Sequence, residues 1–405
     1  MSLLCLSATD VAEVTSQFTP SFLQTLMARV FLVLSRGSPA ESTTPPRIVF
    51  PTQNHTALFM PARIAQENRT MDDKNNGNET EPKENNHNTN ILRGTSIKVV
   101  CVPTSPSDTR GLPASTLVLN EETGAVKAIV NASKLTALRN AAGSLLSVNL
   151  VGPPPKDIVH VVAFGAGVQI ECHLDLHLRA FTSIRTCTII NRSLNERALK
   201  LADLLRSRFP EVEIVCLAHD ATTNPSSTSE PQQSKVQTAL LSAQLIICAT
   251  SSTTPLLPSA WVRDGTHVIL VGSYKPTMHE VEGALVRRAL LTSTNRTSPS
   301  RLVVDSRAAC LAEAGELIAA DVKPEEVVEI GELVAFGADG ELRLPHQGHL
   351  ADTGLQKHSE AENRGTSGPV TIFKSVGVGL QDVAIACAVV DKAQELGMGT
   401  SVGWS

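Results

Sequence analysis

The feature that most constrains the fold of this chain is the stretch at residues 157–169, DIVHVVAFGAGVQ. Its apolar run, 158–164, is too short for a helix and predicts a buried strand. The glycines that follow predict a tight turn into a helix, whose N–H groups and dipole favour an anion such as a dinucleotide pyrophosphate. The third glycine of that fingerprint is missing, so the pattern alone also fits an ordinary strand-turn-helix. The candidate cofactor contacts in this turn are Gly165, Ala166, Gly167, Val168 and Gln169.

A second predicted strand, 186–190, ends in Asn191, Arg192 and Ser193. In a dinucleotide-binding fold this strand end meets the adenine ribose, where a carboxylate favours NAD and an arginine favours the 2′-phosphate of NADP. Positions 190–193 hold no carboxylate, so the sequence favours NADP(H) over NAD(H). The alternative interpretation of Arg192 is a solvated arginine at a helix start.

The order of predicted elements divides the chain into two parts. Strands at 97–102, 115–119 and 126–130 have few helices between them, which indicates a mainly antiparallel sheet. A long helix at 134–150 then connects to strands and helices that alternate from residue 157 onward, as in a doubly wound α/β Rossmann unit with a parallel sheet. The apolar helix 379–396 is expected to pack back on the first part or on another copy of it. Polar segments at 66–94, 220–236 and 344–368 are predicted to be insertions, the first of them disordered.

Composition excludes several classes of protein. With 405 residues, a net charge of −5 and 3% aromatic residues, the chain gives no reason to expect a nucleic-acid or membrane partner. The eight cysteines are scattered without zinc spacing, which predicts no metal site and a reducing compartment. The amino terminus lacks the basic region of a signal peptide, so we expect a cytoplasmic location.

Short motifs spread along the chain resemble the ornithine cyclodeaminase/μ-crystallin family in their order and spacing. The matching pieces are PPRIVFP at 45–51, MPA at 60–62, GLPA at 111–114, KLTALRNAA at 134–142, GAGVQ at 165–169, DGTH at 264–267, VDS at 304–306, EAGE at 313–316, FKSVG at 373–377 and QDVA at 381–384. The resemblance implies a homodimer whose subunits have a Rossmann domain, 134–345, and an α+β substrate/dimerisation domain, 1–133, completed by the returning segment 346–405.

The resemblance also implies chemistry at the Cα–N bond of a small amino or imino acid, with hydride passing to or from a nicotinamide. Arg47, Lys98 and Arg139 match the positions that hold the substrate carboxylate and border the nicotinamide. Cationic groups suit that task, because a guanidinium can grip a carboxylate with two hydrogen bonds. The alternatives are a surface-facing Lys98 and an interdomain salt bridge at Arg47. Further cofactor contacts are expected at Ser115, Thr250, Gly272 and Ser375.

One departure from the family pattern bears on the reaction. Where the cyclodeaminases carry an aspartate for acid–base chemistry, this chain has Tyr274, a phenol with an ordinary pKa of about 10. A second, smaller departure is Asn140 after the helix arginine. The sequence therefore favours reduction of a cyclic ketimine, with Lys98, Arg139 and Tyr274 as candidate catalytic residues. An ornithine- or lysine-type cyclodeaminase and a non-catalytic binding protein of the crystallin type remain alternatives.

Overall fold

The computed structural model describes residues 2–38, 40–65, 92–105, 111–220, 230–290, 301–345 and 367–403, with side chains from 233 onward in the fifth of these ranges. Most of each predicted insertion, at 66–94, 220–236 and 344–368, lies outside the described residues. In the described parts of these segments, Arg93 and Gly94 belong to a strand and 230–236 belong to a helix. The insertions at 66–94 and 220–236 are therefore each shorter than predicted.

Among the described residues, eight strands form the first sheet. They are β1 (Ser2–Leu6), β2 (Ser42–Thr43), β3 (Ile48–Pro51), β4 (His55–Ala65), β5 (Arg93–Pro103), β6 (Ala114–Leu119), β7 (Val126–Asn131) and β18 (Thr400–Gly403). The strand order is β18-β1-β7-β6-β5-β4-β2, with β3 paired to β4. Only the β1–β7 pair among these is parallel, so the sheet is mainly antiparallel, as predicted.

Two helices contact this sheet, α1 (Ala8–Ser16) and α10 (Gly379–Leu396), and two more, α2 (Pro20–Arg36) and α3 (Leu135–Val151), pack on α10. Ser7 begins α1 with a capping box, since its hydroxyl accepts from the Asp10 N–H while the Asp10 carboxylate accepts from the Ser7 N–H at 2.8 Å. α10 has the bounds predicted from the sequence and contacts β4 and β5, which confirms that the C-terminal helix returns to the first sheet.

The second sheet has eight parallel strands within the described part of the chain. They are β8 (His160–Phe164), β9 (Thr186–Asn191), β10 (Glu213–Ala218), β11 (Leu245–Cys248), β12 (His267–Leu270), β13 (Leu302–Val304), β14 (Val328–Glu329) and β17 (Thr371–Lys374). Its helices are α4 (Val168–Ala180), α5 (Glu196–Arg208), α6 (Glu230–Ser242), α7 (Gly283–Leu290), α8 (Arg307–Glu313) and α9 (Gly315–Ala319); a small hairpin pairs β15 (Ala335–Phe336) with β16 (Leu342–Arg343).

The strand order of this sheet is β10-β9-β8-β11-β12-β17-β13-β14. The chain runs outward from β8 to β10 and then crosses to β11 on the other side of β8, so β8 and β11 flank a topological switch point. Ligands of doubly wound sheets bind beyond the carboxyl ends of the strands at this point. The predicted Rossmann fold class is therefore confirmed.

β17 was not predicted, and it changes the path of the C-terminal segment. This strand lies between β12 and β13 in the second sheet, with Lys374 opposite Leu270. The segment 346–405 was predicted to return to the first domain, and this is wrong for β17 because its four residues complete the buried centre of the parallel sheet. The remaining domain boundaries stay a prediction.

α3 lies between the two sheets and is buried on almost every side. Its apolar residues share one core with α2, α4 and α10, which joins the two sheets through packed side chains. In the described part of the chain, no single helix is long and apolar enough to cross a bilayer; α1 and α2 reach that length only together, across a bend of 103°.

Candidate active site

The predicted cofactor turn connects β8 to α4 at the switch point. Gly165 has a φ of +110°, a conformation that a side chain would strain, and its N–H donates to the Ile190 carbonyl at the end of β9 at 2.8 Å. Gly167 is the N-cap of α4 and offers no capping side chain, and a Cβ built there would meet nothing within 4 Å. The turn thus presents the amino end of a 13-residue helix to open space, which fits a pyrophosphate.

A cavity of about 340 Å³ lies beside this turn. It is bounded by Gly167 and Val168 on one side and by α5 on the other, including Arg197 and Lys200. At the end of β9, Asn191 donates to the Ser193 carbonyl at 2.8 Å, and the Arg192 side chain is exposed to solvent. Asn191, Arg192 and Ser193, at the end of β9, therefore lie at the same edge of the sheet as the turn.

The opposite wall of the switch point is held by Glu280. One carboxylate oxygen accepts from the Thr250 N–H after β11 and the other from the Gly272 N–H after β12, each at 2.7 Å. Complete burial raises the pKa of Glu280 to about 7. A Cβ at Gly272 would lie 1.9 Å from the Thr250 carbonyl oxygen, so these two strand ends can approach this closely only with glycine at 272.

Ser375, at the end of β17, belongs to a neighbouring network. Its hydroxyl and the Gly377 N–H both donate to the same oxygen of Asp305, at 2.7 Å each. Beside it, Lys374 forms a fully buried ion pair with Glu316 at 3.1 Å. Neither Asp305 nor Glu280 was singled out from the sequence, although each fixes a predicted cofactor residue.

Lys98 and Arg139 lie side by side and share one carboxylate. Asp382 of α10 forms an ion pair with Lys98 Nζ at 2.6 Å and accepts from Arg139 Nε at 3.2 Å, and all three side chains are at most 5% exposed. Burial lowers the pKa of Lys98, while the two cations hold the pKa of Asp382 below its ordinary value against the effect of burial. The alternative of a surface-facing Lys98 is wrong, because β5 turns this side chain toward α10.

Arg139 is also connected to the cofactor turn. Its Nη1 donates to Gln381 Oε1 at 2.8 Å and to Asn140 Oδ1, and Asn140 Nδ2 in turn donates to Gln169 Oε1 at 3.3 Å. Asn140, which departs from the family pattern, thus links the charged cluster to the first turn of α4. This link places the cluster and the dinucleotide turn in one continuous site.

Arg47 lies on the first-sheet side of this site and forms an ion pair with Glu313 at the end of α8, at 2.9 Å. Both side chains are about one-third exposed, at 28% and 30%. Arg47 is close enough to Lys98 and Tyr274 to lower the pKa of each, although burial dominates at Tyr274 and raises the pKa of its phenol. Arg47 forms the interdomain salt bridge that was considered as an alternative, and its role in holding the substrate carboxylate stays a prediction.

Ser115 is the one predicted contact that lies elsewhere among the described residues. It is exposed on β6, next to Thr116, which pairs with Lys98. Successive residues of a strand face opposite sides, so Ser115 faces away from the Lys98 cluster. Its predicted cofactor contact is not supported within this chain.

Asp382 and Glu313 were missed as site residues. Both occur in motifs that resemble the family, but only Lys and Arg were assigned to the substrate. The available signal for Asp382 was a carboxylate in the mainly apolar first half of α10, since a charge buried there requires a cationic partner. Within the described residues no group of three potential ligands could hold a metal ion.

Comparison with known proteins adds three kinds of similarity. Residues 87–397 match the family model described as the ornithine cyclodeaminase/mu-crystallin family. The ketimine reductase mu-crystallin of Mus musculus is 29% identical over 280 residues, which cover 69% of each chain.

Two solved structures share the fold. The Δ(1)-pyrroline-2-carboxylate reductase of Thermococcus litoralis, in complex with NADH and L-proline, superposes with a TM-score of 0.69 at 22% identity, over 98% of this chain and 100% of that one. An archaeal alanine dehydrogenase dimer with bound NAD gives a TM-score of 0.67 at 18% identity, over 100% of both chains.

Proposed function

The chain belongs to the ornithine cyclodeaminase/mu-crystallin family, and on that premise we propose that it is a nicotinamide-dependent reductase of a small cyclic imino acid. The observation that carries the proposal is the buried pair of Lys98 and Arg139, linked through Asn140 and Gln169 to the dinucleotide turn. The similarity to a ketimine reductase supports the same reaction class.

The residues at the switch point fit a nicotinamide dinucleotide. Gly165 and Gly167 leave the amino end of α4 uncovered for the pyrophosphate, and Thr250 and Gly272 form the wall beyond it. When bound there, a reduced nicotinamide supplies the hydride for a C=N carbon. The contribution of this chain is then to hold the imino acid close to the nicotinamide and to exclude water.

Lys98 and Arg139 are suited to hold the carboxylate of the substrate. Both are cationic, and each keeps at least one N–H group without a partner among the described residues. Asp382 fixes the two side chains before the substrate arrives, which lowers the entropy cost of binding. The imino acid is thus oriented by its carboxylate.

Tyr274 supports reduction rather than ammonia elimination. Burial raises the pKa of its phenol, so Oη keeps its proton at neutral pH and can donate a hydrogen bond to the imine nitrogen. The same shift leaves almost no phenolate at neutral pH to accept a proton, although the cyclodeaminase reaction needs a group that accepts and returns protons. Reduction needs only hydride delivery and a donor at nitrogen.

The proposal is tested by steady-state assays with Δ1-pyrroline-2-carboxylate and Δ1-piperideine-2-carboxylate and each reduced nicotinamide. We expect cofactor oxidation coupled to formation of the cyclic amino acid. Ammonia release from ornithine or lysine without net cofactor change would instead identify a lyase. Cofactor binding without any turnover would identify a binding protein and contradict the proposal.

We further propose a preference for NADP(H). Arg192 is exposed at the end of β9, and no carboxylate occurs there to accept from a ribose hydroxyl. Arg192→Ala should weaken NADPH binding about tenfold and leave NADH binding unchanged, because only NADPH carries the 2′-phosphate. Equal losses for both cofactors in fluorescence titrations would argue against this role.

A homodimer and a cytoplasmic location complete the proposal. Ile48, Val49 and Phe50 are 58–60% exposed on β3, an apolar edge that a second copy could cover. The archaeal relative forms a dimer, which supports the same arrangement, and sedimentation velocity would measure it. All eight cysteines are free, which agrees with a reducing compartment.

A further inference from the structure

Asn140 joins Arg139 to the first turn of α4 by hydrogen bonds whose directions are fixed. A guanidinium can only donate, so the contact from Arg139 Nη1 ends on the amide oxygen of Asn140, Oδ1. The amide nitrogen of Asn140 is therefore turned toward α4, where it donates to Gln169 Oε1 at 3.3 Å. Gln169 Nε2 makes no hydrogen bond to a described residue, so this nitrogen is left to donate to a ligand.

The same contacts fix the guanidinium of Arg139. Its Nη1 also donates to Gln381 Oε1 at 2.8 Å, and its Nε donates to Asp382 Oδ1 at 3.2 Å. The third nitrogen, Nη2, has no hydrogen-bond partner in the described part of the chain. Because the guanidinium is planar and rigid, any shift of Asn140 that moves Nη1 also moves the Nη2 group that would hold the substrate carboxylate.

The donor that remains on Gln169 suits a pyrophosphate. Gln169 lies in the first turn of α4, two residues after Gly167, where the uncovered N–H groups of the helix favour an anion. Phosphate oxygens accept hydrogen bonds, so a dinucleotide that binds Nε2 restricts Gln169 and, through Asn140, the guanidinium of Arg139. The entropy lost in ordering these side chains accompanies the first ligand and is not repeated for the second.

We propose that Asn140 is a positioning residue, through which a dinucleotide at the turn strengthens binding of the substrate carboxylate at Arg139, and the carboxylate strengthens binding of the dinucleotide. This inference rests on the proposed function, because it assigns the pyrophosphate to the turn and the carboxylate to Arg139. It adds cooperativity between the two ligands, carried by the protein itself.

The test measures binding of pyrrole-2-carboxylate, a planar cyclic carboxylate, by calorimetry with and without saturating ADP-ribose. ADP-ribose carries the pyrophosphate but no nicotinamide ring, so it cannot act on the carboxylate probe by stacking against it. We expect ADP-ribose to tighten probe binding to the wild-type protein about tenfold, and the probe to tighten ADP-ribose binding by the same factor, as linkage requires.

Two variants of Asn140 should reduce this coupling factor to at most about twofold. Asn140→Ala removes both hydrogen bonds, and Asn140→Thr retains an oxygen for Arg139 on a side chain one bond shorter, which no longer reaches Gln169. The coupling factor is a ratio of two affinities of the same variant, so a general loss of stability does not change it.

Ser144→Ala is the matched control. Ser144 is a fully buried residue of α3, one turn after Asn140, and its hydroxyl is hydrogen-bonded to His173 Nε2 of α4 at 3.0 Å. Losing this second contact between α3 and α4 should lower stability and leave the coupling factor unchanged, because Ser144 makes no hydrogen bond to Arg139.

Three results would overturn the inference: no effect of ADP-ribose on probe binding to the wild-type protein, a coupling factor kept by either Asn140 variant, or equal reductions in Asn140→Ala and Ser144→Ala. Turnover of a cyclic imine without coupling would contradict this inference and leave the proposed reductase activity intact. Coupling that depends on Asn140 in a protein without turnover would contradict the reductase activity and support the role of Asn140.

Discussion

Asp382 connects three separate segments of the chain at the level of single residues. From α10 it binds Lys98 of β5 and Arg139 of α3, and all of these groups are buried. Removing one partner of such a cluster leaves an uncompensated charge away from water, which is far more costly than losing an exposed ion pair. Asp382 therefore stabilises the fold and positions the substrate cations at once.

Asp382→Asn should lower the free energy of unfolding by about 3 kcal/mol, since Lys98 and Arg139 would lose their shared counter-charge. The same variant should raise KM for the imino acid with little change in dinucleotide affinity, because the turn at Gly167 is not in contact with Asp382. Urea denaturation and cofactor titration measure the two effects. Asp391→Asn is the control, since Asp391 lies on the same helix and pairs with Lys127 while 63% exposed. Equal destabilisation by both variants would contradict the argument.

Gly377 tests the position of Arg139 from the opposite side. Its φ is +82°, and a Cβ there would lie 2.6 Å from Arg139 Nη1. Gly377→Ala should thus displace the guanidinium of Arg139 and weaken substrate binding about tenfold. The backbone strain at this positive φ should also lower the free energy of unfolding by about 1 kcal/mol. Gly340→Ala carries the same strain at φ +74° with no neighbour within 4 Å. We expect both variants to lose stability and only Gly377→Ala to lose substrate affinity; parallel losses in substrate affinity would refute this.

The cations of the site could be predicted from the sequence, but their partners could not. Arg139 lies among alanines of a predicted helix, where burying a charge is costly unless the charge has a partner or a function. Asp382 follows it by 243 positions, and only the folded chain shows that they meet. The orientation of Ser115 could not be predicted either, because strand alternation decides which face of the sheet it lies on and the motif beside it does not.

At the scale of elements, the turn between β8 and α4 matched its prediction closely. α4 begins at Val168, directly after the glycine turn that the sequence predicted. β17 was missed because a buried four-residue strand has no periodicity of its own, and its flanks are glycine-rich segments. Its place between β12 and β13 depends on pairing with residues 104 positions earlier in β12 and 70 positions earlier in β13.

Gly167→Ala separates folding from cofactor binding at this turn. Gly167 has a φ of −89°, which any residue adopts, and its Cβ would project into open space, so the free energy of unfolding should change by less than about 0.5 kcal/mol. The methyl group would nevertheless occupy the space beside the pyrophosphate site. We expect dinucleotide affinity to fall at least tenfold by fluorescence titration. Gly403→Ala on β18, also free of neighbours, should leave affinity unchanged, and an unaffected Gly167→Ala would place the dinucleotide elsewhere.

At the scale of the whole molecule, histidines enclosed by the folded chain make the fold sensitive to acid. Burial lowers the pKa of His173 and His267 to about 3 and that of His160 and His177 to about 4. His173 and His267 are hydrogen-bonded to serines of α3, so these neutral rings belong to the core that joins the sheets. Each group must charge when the chain unfolds below its ordinary pKa of 6.5.

The sign of the pH dependence follows from these shifts. Between pH 4.5 and 6.5 the unfolded chain binds a proton at each of the four histidines that the folded chain leaves neutral, so stability falls as pH falls. Glu280 acts in the opposite sense, because the folded chain keeps a proton up to about pH 7 that the unfolded chain releases near 4.5. The unfolded chain therefore binds about three more protons than the folded chain, four at the histidines less one at Glu280. The free energy of unfolding should then fall by roughly 4 kcal/mol for each pH unit of acidification. Denaturant unfolding at pH 6 and pH 5 measures this slope, and Glu280→Gln should steepen it by about one proton. A slope near zero would mean that the folded chain does not keep these histidines away from water.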